Sequence, residues 1–293
     1  MPVWTPTLIV AAAWVLLPLL AFGFARESVV RVVRRLPVGL RLLLPAVFGV
    51  PYILVARSAG IFQADWMICY LLVPVLIAVL LWHAHQSDPH QHGDWRDFAI
   101  LLVLGLAVDL RWLEPAWPAQ LKVFGKIILL DAGLYGFLAI RQLMDVGFHL
   151  RPRWQDVRTG LRELMYYAPI ALPVGLALGF LHAHPQLPRP GAAIIALAFT
   201  FVLVALPEEI FFRGWMQNLL ERRIGKTAAL LLTSVIFGLA HFNKRATSFN
   251  WRYVLLATIA GIFYGRAWRR DRRIFASSIT HACVDTVWSL WLR

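Results

Sequence analysis

The apolar positions of this chain fall in long continuous runs, not in alternating or three-to-four-residue patterns. Uncharged runs of about 20 residues predict membrane-crossing helices, and their continuity excludes a transmembrane β-barrel. The pattern predicts spans near 3–24, 38–56, 64–82, 98–113, 123–140, 165–182, 191–220, 226–243, 253–268 and 274–292. Asp109 and Arg111 interrupt the fourth. The expected architecture is therefore an all-α polytopic transmembrane helix bundle of about 8–10 spans. Met1 to Thr7 has no basic n-region, so the first run is expected to span and not to be cleaved. Pro185, Pro188 and Pro190 predict a stiff turn between the sixth and seventh runs.

Composition sharpens this picture. The chain is 59% hydrophobic and 15% charged, where soluble chains carry about 25% charged residues. The net charge of +13 would suggest nucleic acid in a soluble protein. Here the arginines flank apolar runs, which implies contact with the lipid bilayer and its anionic lipids, and no nucleic acid. Lys and Arg concentrate in the odd-numbered connections, such as Arg26 to Arg41 and Arg266 to Arg273. That bias predicts cytoplasmic odd connections and both termini outside. The segment Arg151 to Glu163, with Arg153, Trp154, Arg158 and Arg162, reads as an interfacial helix leading into the sixth span. Cys69 and Cys283 both lie inside apolar runs, which excludes a disulfide framework.

One stretch breaks the apolar pattern where a membrane helix should be: Pro207-Glu208-Glu209-Ile210-Phe211-Phe212-Arg213. Each ionisable group inside a bilayer costs roughly 2.5–3.5 kcal/mol on insertion scales and marks a functional site by default. Glu209 and Arg213 are four apart and can pair on one helix face, which turns Glu208 about 100° away. Two further features follow, Phe237-Gly238-Leu239-Ala240-His241 and His281 with Asp285 one helical turn later. Counted from the basic hinge Arg222 to Lys226, Glu208 lies about 21 Å up and His241 about 22 Å up. His281 and Asp285 lie about 12 and 18 Å above Arg273. The three helices can thus deliver their polar groups to one layer. The expected organisation is a scaffold of transmembrane helices over 1–150, an interfacial helix and connecting span over 151–190, and a catalytic core over 191–293.

The chemistry of that layer is hydrolytic. Peptide hydrolysis in a bilayer needs a water, a base and a group that stabilises the oxyanion. Glu208 is the candidate general base, His241 orients the water, His281 donates to the oxyanion, and Arg213 neutralises Glu209. Two histidines and a carboxylate are also common zinc ligands, so Glu208, His241 and His281 are equally able to hold a divalent metal. There is no His-Glu-x-x-His motif, and the spacing leaves metal-activated and glutamate-activated water both open. The histidine-rich stretch Trp82 to Asp94 matches no common metal spacing and reads as a flexible, solvated loop. Asp109, Arg111, Asp131 and Arg141 read as structural pairs or span ends. Phe237, the small residues Gly238 to Ala240, and Gly261 with Gly265 read as helix packing.

Glu208-Glu209-x-x-x-Arg213, Phe237-x-x-x-His241 and His281-x-x-x-Asp285 resemble the three motifs of the CAAX protease and bacteriocin-processing (CPBP) family. It is also called the Abi or type II CAAX prenyl endopeptidase family. The resemblance covers roughly residues 190–292. It implies an intramembrane endopeptidase whose helical core encloses a conical, water-accessible cavity. Glu208 and His241 would activate the water, and His281 with Asp285 would stabilise the oxyanion. Members have been described both as metalloproteases and as glutamate-type proteases. Prenyl-processing members usually carry Asn at the position of Asp285, while Asp occurs among bacterial relatives. An ionised Asp cannot donate to an oxyanion, so its expected role here is to orient His281, accept a proton or bind metal. The implied location is a bacterial inner membrane, and the implied partner is a protein or peptide substrate in that membrane, as in bacteriocin maturation, regulated proteolysis or C-terminal processing. The alternatives are a non-catalytic immunity or scaffold protein and a proton-coupled transporter, the latter without the inverted repeats it would favour.

Overall fold

The computed structural model describes residues 5–184, 189–244 and 248–292. The turn expected at Pro185 and Pro188, and residues 1–4 of the N-terminal stretch, lie outside these. Among the described residues the chain is all-α, 81% helical and without strands. Its helices are α1 (Pro6–Arg35), α2 (Val38–Ser58), α3 (Ala64–Ser87), α4 (Trp95–Asp109), α5 (Ala119–Ile140), α6 (Trp154–Ala177), α7 (Gly191–Ile224), α8 (Lys226–Leu239), α9 (Trp251–Asp271) and α10 (Ile274–Trp291). By length and composition, α1, α2, α3, α5 and α7 are able to cross a membrane, and the protein is an integral, multi-pass membrane protein. The fourth expected span ends where its charges begin: α4 stops at Asp109, and Arg111 takes a left-handed backbone with φ +58°.

The chain divides into two compact units, Met1–Met144 and Asp145–Arg293. In the first, the histidine-rich connection is not the flexible loop expected. Arg141, wholly buried, binds Asp97 through Nε (2.9 Å) and Asp88 through Nη2 (2.7 Å). The Asp88 carboxylate also accepts from the amides of His92 and Gly93, and Gln91 donates to the Gln142 carbonyl. The helix α4 begins at a capping box, Asp94 with Asp97, so Asp97 serves cap and ion pair at once. Asp131, expected as half of a pair or a span end, is instead buried mid-helix in α5, and its Oδ1 has no hydrogen-bond partner among the described residues.

The second unit holds α6 to α10. Small residues set its helix spacing as the sequence implied. A Cβ at Gly238 would meet Thr258 Oγ1 and the Val254 carbonyl; one at Gly261 would meet Ser234 at 3.0 Å, and one at Gly265 would meet Leu230. α8 and α9 therefore pack at backbone contact. Residues 154–163 of the segment expected as an interfacial helix form the first turns of the 24-residue α6, which carries on into the expected sixth span. Its acids face inward: Asp156 binds Arg273 at 2.6 Å, and Glu163 binds Arg162 and Arg266 at 2.7 and 3.0 Å. Several arginines of the basic connections are engaged in the same way. Glu221 at the end of α7 holds Arg272 at 2.6 Å and Arg269 at 3.4 Å, and Asp145 holds Arg222. These pairs clamp one end of the unit, where α7 reverses into α8 at Gly225 (φ +82°), a backbone conformation that favours glycine.

Candidate active site

The motif helix α7 is irregular at its centre. Ordinary α-helix covers Leu206–Glu209, flanked by π-helical turns at Phe201–Ala205 and Ile210–Gln217. Such π-turns are frequent at functional sites. They frame the two adjacent carboxylates and aim them differently. Glu209 is completely buried: its Oε2 lies 3.2 Å from Arg213 Nε and its Oε1 lies 2.9 Å from His281 Nδ1. Glu208 is 28% exposed, and its Oε2 lies 3.9 Å from the opposite nitrogen of the same ring, His281 Nε2. The 100° offset between neighbours on a helix thus places one carboxylate on each side of one imidazole.

His281 sits on α10 and is buried. Its Nε2 also lies 3.5 Å from Asp285 Oδ2, one turn along, at the outer limit of hydrogen bonding. Both ring nitrogens therefore face carboxylate oxygens, an arrangement that uses His281 as a donor. His241 has the opposite character. The helix α8 ends at Leu239, so His241 lies in the following turn instead of inside a span reaching residue 243. Its Nδ1 lies 2.8 Å from the Phe237 carbonyl. A carbonyl only accepts, so Nδ1 carries the proton and Nε2 keeps its lone pair.

Aromatic rings hold these groups in place. Tyr264 of α9 stacks on His281 at 4.5 Å with planes 15° apart. Phe237 touches both histidine rings edge-on or tilted, at 4.9 Å from His241 and 5.6 Å from His281. The Arg213 guanidinium stands 5.1 Å from the Phe237 ring and 5.9 Å from that of Tyr264. Tyr253 packs on the other face of the site, 4.8 Å from His241. Phe237 was legible as a motif residue but read as packing; here it is the ring common to Arg213, His241 and His281. Tyr264 carried no sequence signal beyond its place between Gly261 and Gly265.

His241, His281 and Asp285 line a cavity of about 200 Å³ whose remaining walls are mostly apolar and aromatic, among them Tyr167, Phe180, Leu256 and Trp288. Glu208 is not one of its lining residues; it meets His281 from the α7 side. Among the described residues no group of three or more His, Cys, Asp and Glu side chains is arranged to hold a metal ion. Of the residues singled out in the sequence, Glu208, Glu209, Arg213, His281 and Asp285 form one chain of charged contacts. His241 joins them through Phe237 and the cavity wall.

Residues 190–287 match the family described as type II CAAX prenyl endopeptidase Rce1-like. No curated protein and no solved structure matches the chain. The matched residues contain all three motifs, so the match agrees with the resemblance to CAAX-type proteases that those motifs carry.

Proposed function

We propose that the second unit is an intramembrane endopeptidase that hydrolyses peptide bonds of membrane-associated proteins or peptides with a carboxylate-activated water. In this reading Glu208 is the general base, His241 orients the water, and His281 donates to the oxyanion. The observation that supports it most is the placement of Glu208 and Glu209 on the two sides of the His281 ring, with only Glu208 partly exposed. The buried Glu209 fixes His281 through Nδ1, leaving Nε2 to serve the reaction.

The steps balance without any other reactant. Glu208 takes a proton from the water as the water oxygen bonds to the scissile carbonyl carbon. The carbonyl oxygen becomes an oxyanion and replaces Asp285 as the acceptor of the His281 Nε2–H. When the carbon–nitrogen bond breaks, the proton on Glu208 passes to the leaving nitrogen, the water's second proton follows from the new carboxylic acid to the amine, and a carboxylate and an ammonium group depart. His241, protonated on Nδ1, accepts a water hydrogen at Nε2 and sets the direction of attack. Asp285 does not donate; it holds His281 in register until substrate arrives. Arg213 balances the charge of Glu209 inside the protein. The apolar cavity supplies the substrate's binding surface, so the expected partners are membrane-embedded peptide segments, and a bacterial cell membrane is the setting the family resemblance favours. The direct test replaces Glu208 with Gln and follows cleavage; loss of cleavage in a folded protein supports the reading, and retained cleavage removes it.

A further inference from the structure

Beside the candidate site, two helices, α7 and α8, carry buried polar atoms that have no hydrogen-bond partner among the described residues. Arg213 is wholly buried, and Nε, Nη1 and Nη2 make no hydrogen bond among the described residues; the contact with Glu209 is an ion pair without hydrogen-bond alignment. One turn on, Gln217 is wholly buried with Oε1 unpaired. Its amide orientation is fixed, because Nε2 donates to Glu221 Oε1 at 3.1 Å. On α8, Thr233 is wholly buried with Oγ1 unpaired.

These three side chains share a locus. Phe237 of α8 lies against Arg213. Leu230 of α8 approaches the Gly265 position on α9, against where a Cβ would stand, and Gln217 Oε1 lies 2.6 Å from the same point. Thr233 falls between Phe237 and Leu230 on one stripe of α8, four and three residues from them. Its stripe thus meets Arg213 at the Phe237 end and nears Gln217 at the Leu230 end. Gly261 and Gly265 let Ser234, Leu230 and Gln217 approach the α9 backbone at this level.

The mixture of groups decides what fits. Arg213 offers only donors, Gln217 Oε1 only accepts, and Thr233 does either. An anion cannot donate to Gln217, and a cation is repelled by Arg213. Water satisfies all of them, and buried unpaired polar atoms are where internal waters reside. We propose that Arg213, Gln217 and Thr233 enclose an internal water site at the junction of α7, α8 and α9. The site completes the hydrogen bonding of Arg213 and so steadies Glu209 and, through it, His281. In this respect it rests on the catalytic reading above, whereas the water itself does not. Gln217, Thr233 and their neighbours are positioning residues.

The test is X-ray radiolytic footprinting of the full chain in lipid nanodiscs, with Leu230 as the reporter. Leu230 is 8% exposed and does not line the cavity, and Leu8 at 7% is the equally buried control. Bound water beside Leu230 makes its hydroxylation at least several-fold faster than that of Leu8. Thr233→Val lowers the Leu230 rate toward that of Leu8, and Thr233→Ser restores it. Should Thr233→Val not fold, Gln217→Met gives the same comparison. Wild-type Leu230 labelling no faster than Leu8, or labelling indifferent to these substitutions, overturns the proposal. Glu208→Gln separates the two readings: it leaves Leu230 labelling unchanged whether or not the protein proves to be a protease.

Discussion

Glu209 and His281 meet at 2.9 Å, Oε1 to Nδ1, with both side chains buried and the second carboxylate oxygen turned to Arg213. The second member of the Glu-Glu pair is thereby committed inside the protein, and the first, Glu208, is left partly exposed. The two adjacent glutamates are not interchangeable, and their substitutions are expected to separate.

Glu209→Ala leaves the Arg213 guanidinium as an uncompensated buried charge. Breaking a buried pair in this way costs about 3–5 kcal/mol. The variant should unfold at a clearly lower temperature in detergent or fail to accumulate, whereas Glu208→Gln keeps the wild-type midpoint within a few degrees. Equal stability of the two variants would contradict the division of roles.

Phe237 is the ring shared by Arg213, His241 and His281. Truncating a buried phenylalanine costs about 3–5 kcal/mol, and here it also frees both histidines. Phe237→Ala should lose stability and cleavage together. Phe237→Leu, which retains volume, should recover most of the stability and less of the cleavage, as read by thermal unfolding beside product formation.

Asp285 lies 3.5 Å from His281 Nε2 and cannot donate to an oxyanion when ionised. Asp285→Asn keeps the shape and adds a donor, so cleavage should persist within about tenfold. Asp285→Ala frees the ring that carries the oxyanion donor and should reduce kcat by up to about 10²-fold, the effect of losing such a donor being the upper bound. A kcat for Asp285→Asn as low as that of Asp285→Ala would show that the charge itself is required.

The first unit has a pH dependence of its own. Burial acts to raise the Asp88 carboxyl, but the amides of His92 and Gly93 and the Arg141 guanidinium outweigh it and hold the group below its ordinary value of 3.8. A carboxylate depressed by folding contributes stability that is full above that ordinary value and disappears as pH falls through the lower folded value. Hydrogen exchange at residues 88–94 should therefore rise, once corrected for intrinsic rates, as pH drops below about 4. In Asp88→Asn it should be raised throughout and lack that step.

The candidate layer was legible in the sequence because its residues violate their surroundings. Glu208, Glu209, Arg213, His241, His281 and Asp285 stand out in apolar runs, and helix rise alone placed them at one depth. Helix existence was legible for the same reason, from run length. Ion pairing was not. Arg222, Arg266, Arg269, Arg272 and Arg273 read as flanking charges for lipid and orientation, yet each binds an acid. The pairing joins residues far apart in the chain, such as Asp156 and Arg273, and no local pattern announces it. The same holds for Arg141, whose partners Asp88 and Asp97 turn an apparently solvated loop into an anchored one. Tyr264 was invisible because an aromatic among small residues is ordinary in a packed helix; its role comes from stacking on His281.

The central claim is that Glu208 activates a water for peptide hydrolysis. The most direct measurement compares the protein termini of membranes from cells that carry the wild type or Glu208→Gln at matched expression. The account predicts termini that appear with the wild type and are absent with Glu208→Gln, from membrane-associated proteins. Identical termini from the two, with both proteins folded and at equal abundance across growth conditions, would contradict it and leave the cluster around His281 as the frame of a non-catalytic membrane protein.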